Sequence, residues 1–194
     1  MKTLCDISRA KRLFDEKEYE KALEIYLEIY QIALDSGTET SFLLYQIALC
    51  FNDSHQIMEA ATYINKALAL DPFNLSVELL AMTIYDNIMV DIDHYLYKAD
   101  KRDNVMELYN FCLINGRVTS NLEYMMVKHH LHFNETTKAK YLIDNALARN
   151  PYDKEYLVLR KNIAVEENDT EKLEELETKT KTKEFNNPRL KMLS

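Results

Sequence analysis

The chain has 194 residues and a formal net charge of −8, and it contains only 2 glycines and 3 prolines. So few glycines exclude the glycine-rich loops that hold nucleotide phosphates, and the acidic balance disfavours nucleic acid as a partner. Hydrophobic residues make up 47% of the chain, as in a globular protein, and together with the scarcity of turn-forming residues this share predicts a helical fold.

Cysteine usage and hydropathy predict a cytoplasmic protein. Cys5, Cys50 and Cys112 form no CxxC pair, which is typical of reduced thiols, and each lies in an apolar stretch that predicts a core position. The apolar run 42–51 is about half of the roughly 20 residues that a membrane span requires. We therefore expect no membrane span, and the polar start of the chain predicts no signal peptide.

Alanine recurs at a fixed spacing in the chain. Segments 58–72 and 137–151 align without gaps as A-x3-I-x2-A-L-A-x2-P, and segment 20–29 is a third copy without the proline. Positions i, i+4 and i+7 share one helix face, so Ala60, Ile64 and Ala67 form a stripe that lets a neighbouring helix approach closely. Pro72 and Pro151 end their helices because proline lacks the backbone donor. This internal similarity predicts a helical repeat array.

These segments resemble the second helices of tetratricopeptide (TPR) repeats, and the segments 8–15, 41–52, 120–133 and 154–166 resemble the first helices. Ala10 and Ala48 occupy the position where the family has Gly or Ala, whereas Val127 and Lys161 depart from it, and the family's Trp is absent. The resemblance implies an all-α, right-handed solenoid of about five TPR-like helix pairs with an irregular middle unit. It places a single solenoid over 1–185, with units at about 3–36, 41–74, 75–118, 120–153 and 154–180.

The middle unit is longer than the others. Its first helix is predicted over 75–89 and its second over 104–114, where Asn115 and Gly116 form a helix C-cap. The extra residues 90–103 form either a lengthened helix or a loop. Before the second unit, the Ser and Thr residues of 36–40 are N-cap candidates.

The end of the chain has the pattern of a terminal repeat. Asp169 is followed by an acidic first turn and few apolar residues, as expected of a capping helix with a polar outer face. After Lys179 the sequence is too polar to pack, and Pro188 interrupts it. We therefore expect a flexible tail over 186–194.

The TPR resemblance also implies a peptide-binding groove, because the first helices of such repeats line the concave side. It places these groove residues: Tyr45, Leu49, Asn52, Leu79, Thr83, Tyr124 and Lys128. Aromatic and leucine side chains at this spacing favour an apolar or extended ligand, although the same side chains are also suited to packing against the next repeat. Ile7 and Lys11 stand where the chaperone-tail receptors of the family have Lys and Asn, which disfavours that subclass.

Two clusters contain groups that bind metals elsewhere. His129, His130 and His132 lie on one predicted helix, and His129 with His132 share a face, but no third ligand is apparent. The cluster at Asp91, Asp93 and His94 lacks the glycine and the distal Glu of a calcium loop. We interpret the histidines as structural or solvent-exposed, and the acidic cluster as a solvated connection.

The favoured function is protein or peptide binding, as an adaptor, an assembly factor or a secretion-type chaperone. No catalytic residue, metal or cofactor is predicted, because no GxSxG, HExxH or phosphate-binding motif occurs. The first alternative is a structural protein that self-associates, which a strict monomer in light scattering would exclude. The second is a helical enzyme with a site near His129 and Asp93, which metal analysis and a panel of hydrolase substrates would reveal.

Overall fold

The structure is a computed structural model that describes the backbone of residues 2–185 and the side chains of residues 5–178. These residues form ten α-helices and no strand, so the all-α prediction is confirmed for this part of the chain. Their contacts divide them into two compact units, with the boundary between Arg117 and Val118. The winding of all the pairs into one right-handed solenoid stays a prediction, and the tail predicted at 186–194 lies outside the described residues.

Each unit is a series of helix pairs. The first unit contains α1 (Lys2–Asp15), α2 (Tyr19–Ser36), α3 (Ser41–Asp53), α4 (Ile57–Leu70), α5 (Leu75–Tyr95), a short 3-10 helix (Ala99–Lys101) and α6 (Arg102–Ile114). The second unit contains α7 (Ser120–His132), α8 (Thr136–Arg149), α9 (Lys154–Glu166) and α10 (Thr170–Phe185). Within each unit every helix contacts the next one along the chain, as antiparallel helices joined by short turns do. Among these helices, none is both long and apolar enough to cross a bilayer.

Four of the first helices begin at a capping side chain: Thr40, Asn74, Thr119 and Asp153. Each accepts a hydrogen bond from a backbone N–H two or three residues further on, which satisfies a donor that the helix leaves unpaired. Thr40 therefore confirms the N-cap prediction. Thr40 and Asn74 are 34 residues apart, and so are Thr119 and Asp153, which is the period of TPR repeats.

A left-handed residue turns the chain from the first helix of a pair into the second. Such residues, with φ between 55° and 63°, occur in four pairs: Lys17, His55, Asn134 and Asn168. The last three each stand fifteen positions after the capping residue of their pair. In the second pair, the Gln56 N–H donates to the Phe51 carbonyl at 2.9 Å, the closing bond of a Schellman motif. The turn therefore recurs in register with the caps, although none of the four residues is glycine.

The middle pair departs from this pattern through its length. From Asn74 to Thr119 the spacing is 45 residues, eleven more than in the regular pairs. Eight of the eleven lengthen α5, which has 21 residues against the 13 of α3, and three form the 3-10 helix. The segment 90–103 therefore combines a turn, the 3-10 helix and the start of α6 with the lengthened end of α5, residues 90–95. The acidic cluster at Asp91 and Asp93 lies within α5, so its prediction as a connection was wrong.

The alanine stripes are buried as predicted. Ala60, Ile64 and Ala67 of α4 are fully buried, and the equivalent residues of α8 are buried too: Ala139, Ile143 and Ala146. The same spacing also holds three buried residues in α6, namely Val105, Tyr109 and Cys112. The sequence comparison missed this copy because none of the three is alanine.

A polar network joins the helices of the middle pair to α4. The Asn65 side-chain amide donates to the Tyr85 hydroxyl at 2.7 Å and to the Asn115 side-chain oxygen at 2.9 Å. Burial raises the pKa of Tyr85, which keeps the hydroxyl neutral in this contact. Asn115 and Gly116 follow α6 as predicted, with Gly116 in the left-handed region at φ 65°. These hydrogen bonds link α5 and the end of α6 to α4, in addition to the apolar packing of the same helices.

The buried stripe can be tested by a matched pair of substitutions on α4. Ala67→Lys should destabilise the protein by more than the ~1–3 kcal/mol of ordinary overpacking, because a charge is buried as well. Ala69→Lys introduces the same side chain at an exposed position and should change stability by less than about 0.5 kcal/mol. Urea unfolding followed by circular dichroism measures both. Equal stabilities of the two variants would contradict the repeat alignment.

Candidate functional site

The capping residues give α3, α5, α7 and α9 a common register. Counting from the cap, positions 3, 7, 10 and 11 are buried in α3, α5, α7 and α9. The predicted groove residues occupy other positions: Tyr45, Leu79 and Tyr124 stand five residues after the cap, Leu49, Thr83 and Lys128 nine, and Asn52 twelve. Positions 5, 9 and 12 share one helix face, and this face lies opposite the one that contains the buried positions. The predicted groove residues therefore point away from the packed side.

Five of the seven groove residues lie in the first unit, on the adjacent helices α3 and α5. Leu79 and Thr83 are exposed, and Tyr45, Leu49 and Asn52 are half-buried. We call this surface, together with further residues of the two helices, the α3–α5 face. Its residues are Phe42, Tyr45, Leu49 and Asn52 on α3, and Leu75, Leu79, Met82, Thr83, Asp86, Asn87 and Val90 on α5. The groove prediction did not include Phe42, Leu75, Met82 or Val90.

The apolar members of this face are unusually accessible. Phe42 is 53% exposed, Leu79 54%, Met82 57%, Val90 65% and Leu75 68%. Met82 of α5 is equivalent to Ala48 of α3, since each stands eight residues after its cap. Ala48 is buried, whereas the larger Met82 side chain is exposed. The α3–α5 face is therefore apolar without being part of the core.

Direct contacts hold α3 and α5 side by side. The Asn87 side-chain amide donates to the Asn52 oxygen at 3.3 Å, and the Asn52 amide donates to the Asp53 carboxylate at 3.0 Å. The first of these bonds connects the end of α3 with the middle of α5. The two bonds hold Asn52 and Asn87 at the edge of the apolar part of the face.

A cavity of about 470 Å³ opens at this end of the face. It is lined by Tyr19, Asn52, Asp53, His55, Ile57, Asn87, Val90 and Asp91. Val90 and Asp91 belong to the eight residues by which α5 exceeds α3, so the lengthened helix supplies one wall. Carboxylates and amide oxygens beside apolar walls suit a long side chain with a cationic end.

The other two groove residues lie in the second unit. The Lys128 ammonium is 4.6 Å from the centre of the Tyr124 ring, and Tyr124 meets Tyr156 edge-on at 5.7 Å between ring centres. Burial raises the pKa of Tyr156 to about 12, so this ring is a neutral packing partner. Tyr124 is thus half-buried between two neighbours, while Lys128 stays exposed. One groove that contains all seven residues stays a prediction.

The three histidines of α7 do not act together. His129 and His130 are buried, whereas His132 is exposed, so His129 and His132 do not share an accessible face. The His130 Nδ1 is 2.6 Å from the Glu135 carboxylate, whose other oxygen accepts from Lys138 at 2.8 Å. Within the described part of the chain, no group of three His, Cys, Asp or Glu residues is placed to hold a metal ion.

The cysteines differ in environment. Cys50 and Cys112 are buried, and burial raises the pKa of their thiols to about 12 and about 11. Cys5 is exposed, so its prediction as a core residue was wrong. It lines a surface depression of α1 together with Ser8, Arg9 and Arg12, and the spacing of these residues places the thiol on the polar side of the helix.

Comparisons with known proteins leave the family of the chain open. No family model matches it, and no curated protein matches it. Among solved structures, the chain is similar to one of MamA from Desulfovibrio magneticus RS-1 that comprises residue 41 to the end of MamA. The two chains are 15% identical, with a TM-score of 0.40, and the match covers 96% of this chain and 97% of that one. The ArsTM double mutant of MamA RS-1 gives 15% identity and a TM-score of 0.40, with 97% of each chain covered.

MamA AMB-1 is 12% identical, with a TM-score of 0.39 over 100% of this chain and 98% of that one. A likeness at these TM-scores does not define a family for the chain. The function is therefore inferred from the residues of the chain itself.

Proposed function

We propose that the chain is a TPR-like protein-binding module that holds a segment of a partner protein on its α3–α5 face. An adaptor, an assembly factor or a secretion-type chaperone would use such a face, and none of these roles requires a catalytic step. The proposal combines five of the seven predicted groove residues with four exposed apolar residues of the same two helices. The groove residues are Tyr45, Leu49, Asn52, Leu79 and Thr83, and the added residues are Phe42, Leu75, Met82 and Val90.

The observation that carries the proposal is the second apolar side of α5. One side of this helix is buried in the first unit, through Val77, Leu80, Ala81, Ile84, Tyr85, Ile88 and Ile92. The other side presents Leu75, Leu79, Met82 and Val90 to solvent. A helix that is apolar on both sides is typical of one that is covered on both sides. A bound partner segment would provide the second cover.

The exposed apolar side chains of the face supply part of the free energy of such binding. Full burial of a Leu or Met side chain stabilises by about 1.5–3 kcal/mol, so covering the exposed half of one contributes about 1 kcal/mol. Four or five such side chains on α3 and α5 then offer about 5 kcal/mol before the cost of association, which reduces it. Tyr45 adds an aromatic anchor with a polar end, the kind of residue that is enriched at binding hot spots.

The proposal is tested by a matched pair of leucine substitutions in the full chain. Random peptides displayed on phage are selected on the wild-type protein, and the enriched peptides are synthesised and titrated by fluorescence anisotropy. Leu79→Glu should weaken their binding at least about tenfold, because the charge must be desolvated under the ligand. Leu70→Glu on α4 changes a leucine of similar exposure, 52% against 54%, and should leave the affinity unchanged.

Circular dichroism of both variants shows that the fold is retained. Equal affinities of Leu79→Glu and Leu70→Glu would contradict the proposal, and so would a selection that enriches no peptide.

Self-association is a second candidate, favoured by a depression of about 500 Å³ beside α6. It is lined by Met58, Asp103, Met106, Glu107, Asn110, Phe111 and Ile114, and Ile114 is 86% exposed. If a second copy covers this surface, light scattering should show a dimer for the wild type and a monomer for Ile114→Glu. The control Ile32→Glu changes an exposed isoleucine of α2 and should stay dimeric. A wild-type monomer at all concentrations would exclude this candidate.

A further inference from the structure

We infer that the partner segment held on the α3–α5 face is basic and amphipathic, with Lys or Arg residues interspersed among apolar ones. This inference rests on the proposed function and names the chemistry of its partner. It is carried by the charges of the two helices and by the places they occupy among the exposed apolar side chains.

The two helices of the face contain acidic residues but no Lys or Arg. Their sequences contain five carboxylates, Asp53, Glu78, Asp86, Asp91 and Asp93, and neither helix contains a Lys or an Arg. The first helices of the second unit differ. They combine Glu123, Glu155 and Glu166 with Lys128, Lys154, Arg160 and Lys161. The one-sided charge is therefore a property of α3 and α5 and not of first helices in general.

One of these carboxylates stands among the exposed apolar side chains of α5. Asp86 is exposed and lies four residues after Met82 and four residues before Val90, on the same side of α5. Within the described residues, neither Asp86 nor Asp91 takes part in a salt bridge. A ligand that covers Met82 and Val90 must therefore cover Asp86 as well. A cationic group on the ligand compensates best for the desolvation of this carboxylate, because it adds charge attraction to the hydrogen bond.

The cavity at the end of the face fits one such cationic side chain. Ile57, Val90 and the Tyr19 ring offer apolar walls for the methylene groups of a Lys or Arg. Asp53 and Asp91 offer carboxylates for its charged end, and the Asn52 and Asn87 amides lie beside them. The same groups disfavour an acidic segment, because its carboxylates would meet like charges there.

The opposing interpretation is that these carboxylates only keep an apolar face soluble and contact no ligand. The two interpretations differ in their consequences for binding. Carboxylates that contact the ligand select basic peptides and make the affinity depend on salt. Carboxylates that serve solubility alone leave the selected peptides without any charge preference.

The test uses the full chain and the displayed random peptide library described above. The enriched peptides should contain an excess of Lys and Arg among Leu, Ile or Phe residues. The double variant Asp86→Asn, Asp91→Asn should bind them about three- to tenfold more weakly at low salt, and this difference should vanish at about 1 M salt. The control Glu24→Gln, Glu28→Gln removes the same charge from exposed positions of α2 and should bind like the wild type.

The inference fails if the enriched peptides are neutral or acidic, or if the Asp variant binds as tightly as the control. The two proposals are distinguished by the Leu79→Glu variant. If it abolishes binding of neutral peptides, the face binds partners but the charge inference is wrong. If it binds all peptides like Leu70→Glu, the face is not the binding site and both proposals are wrong.

Discussion

Small side chains on α4 in the first unit, and on α8 in the second, let neighbouring helices of the same unit pack closely, and the rest of each unit depends on this packing. Ala67 and Ala146 leave room for a neighbouring helix, and Ile64 and Ile143 fill the space beside them. The caps at the starts of α3, α5, α7 and α9 each stabilise by about 1 kcal/mol and set the phase of the buried positions. The left-handed residue fifteen positions later costs roughly 1–2 kcal/mol for a side chain other than glycine. Its recurrence in phase with the caps shows that redirecting the chain at this point offsets that cost.

The same register separates structural from functional residues. Positions that the packing requires are buried in α3, α5, α7 and α9 alike, so the positions between them are free to vary in chemistry. On α3 and α5 these free positions are apolar and acidic, and on α7 they include Tyr124 and Lys128. The lengthening of α5 adds Val90 and Asp91 beyond the end of a regular first helix. The irregularity of the middle pair thus builds the cavity that we propose for a cationic side chain.

The sequence predicts the elements better than the surfaces. Periodic alanines, two prolines and the Thr40 cap indicate the helices and their order, because each acts through local backbone chemistry. The turn at His55 was not predictable, since its left-handed conformation is imposed by the two helices it joins. The exposure of Met82 and of Cys5 was missed for a related reason. An apolar residue in a helix gives no sign of which side meets solvent until the neighbouring helices are placed. The charge asymmetry of α3 and α5 is visible in the sequence but has meaning only once the two helices are seen to form one face.

Hydrogen–deuterium exchange with and without a selected peptide tests the assignment of the binding face most directly. Ligand binding on the α3–α5 face slows the exchange of backbone amides in the helices it covers, because it suppresses their local opening. Residues 41–53 and 75–91 should gain protection, whereas residues 57–70 of α4 should not. Protection confined to α4 or α6, or an unchanged α5, would contradict the assignment.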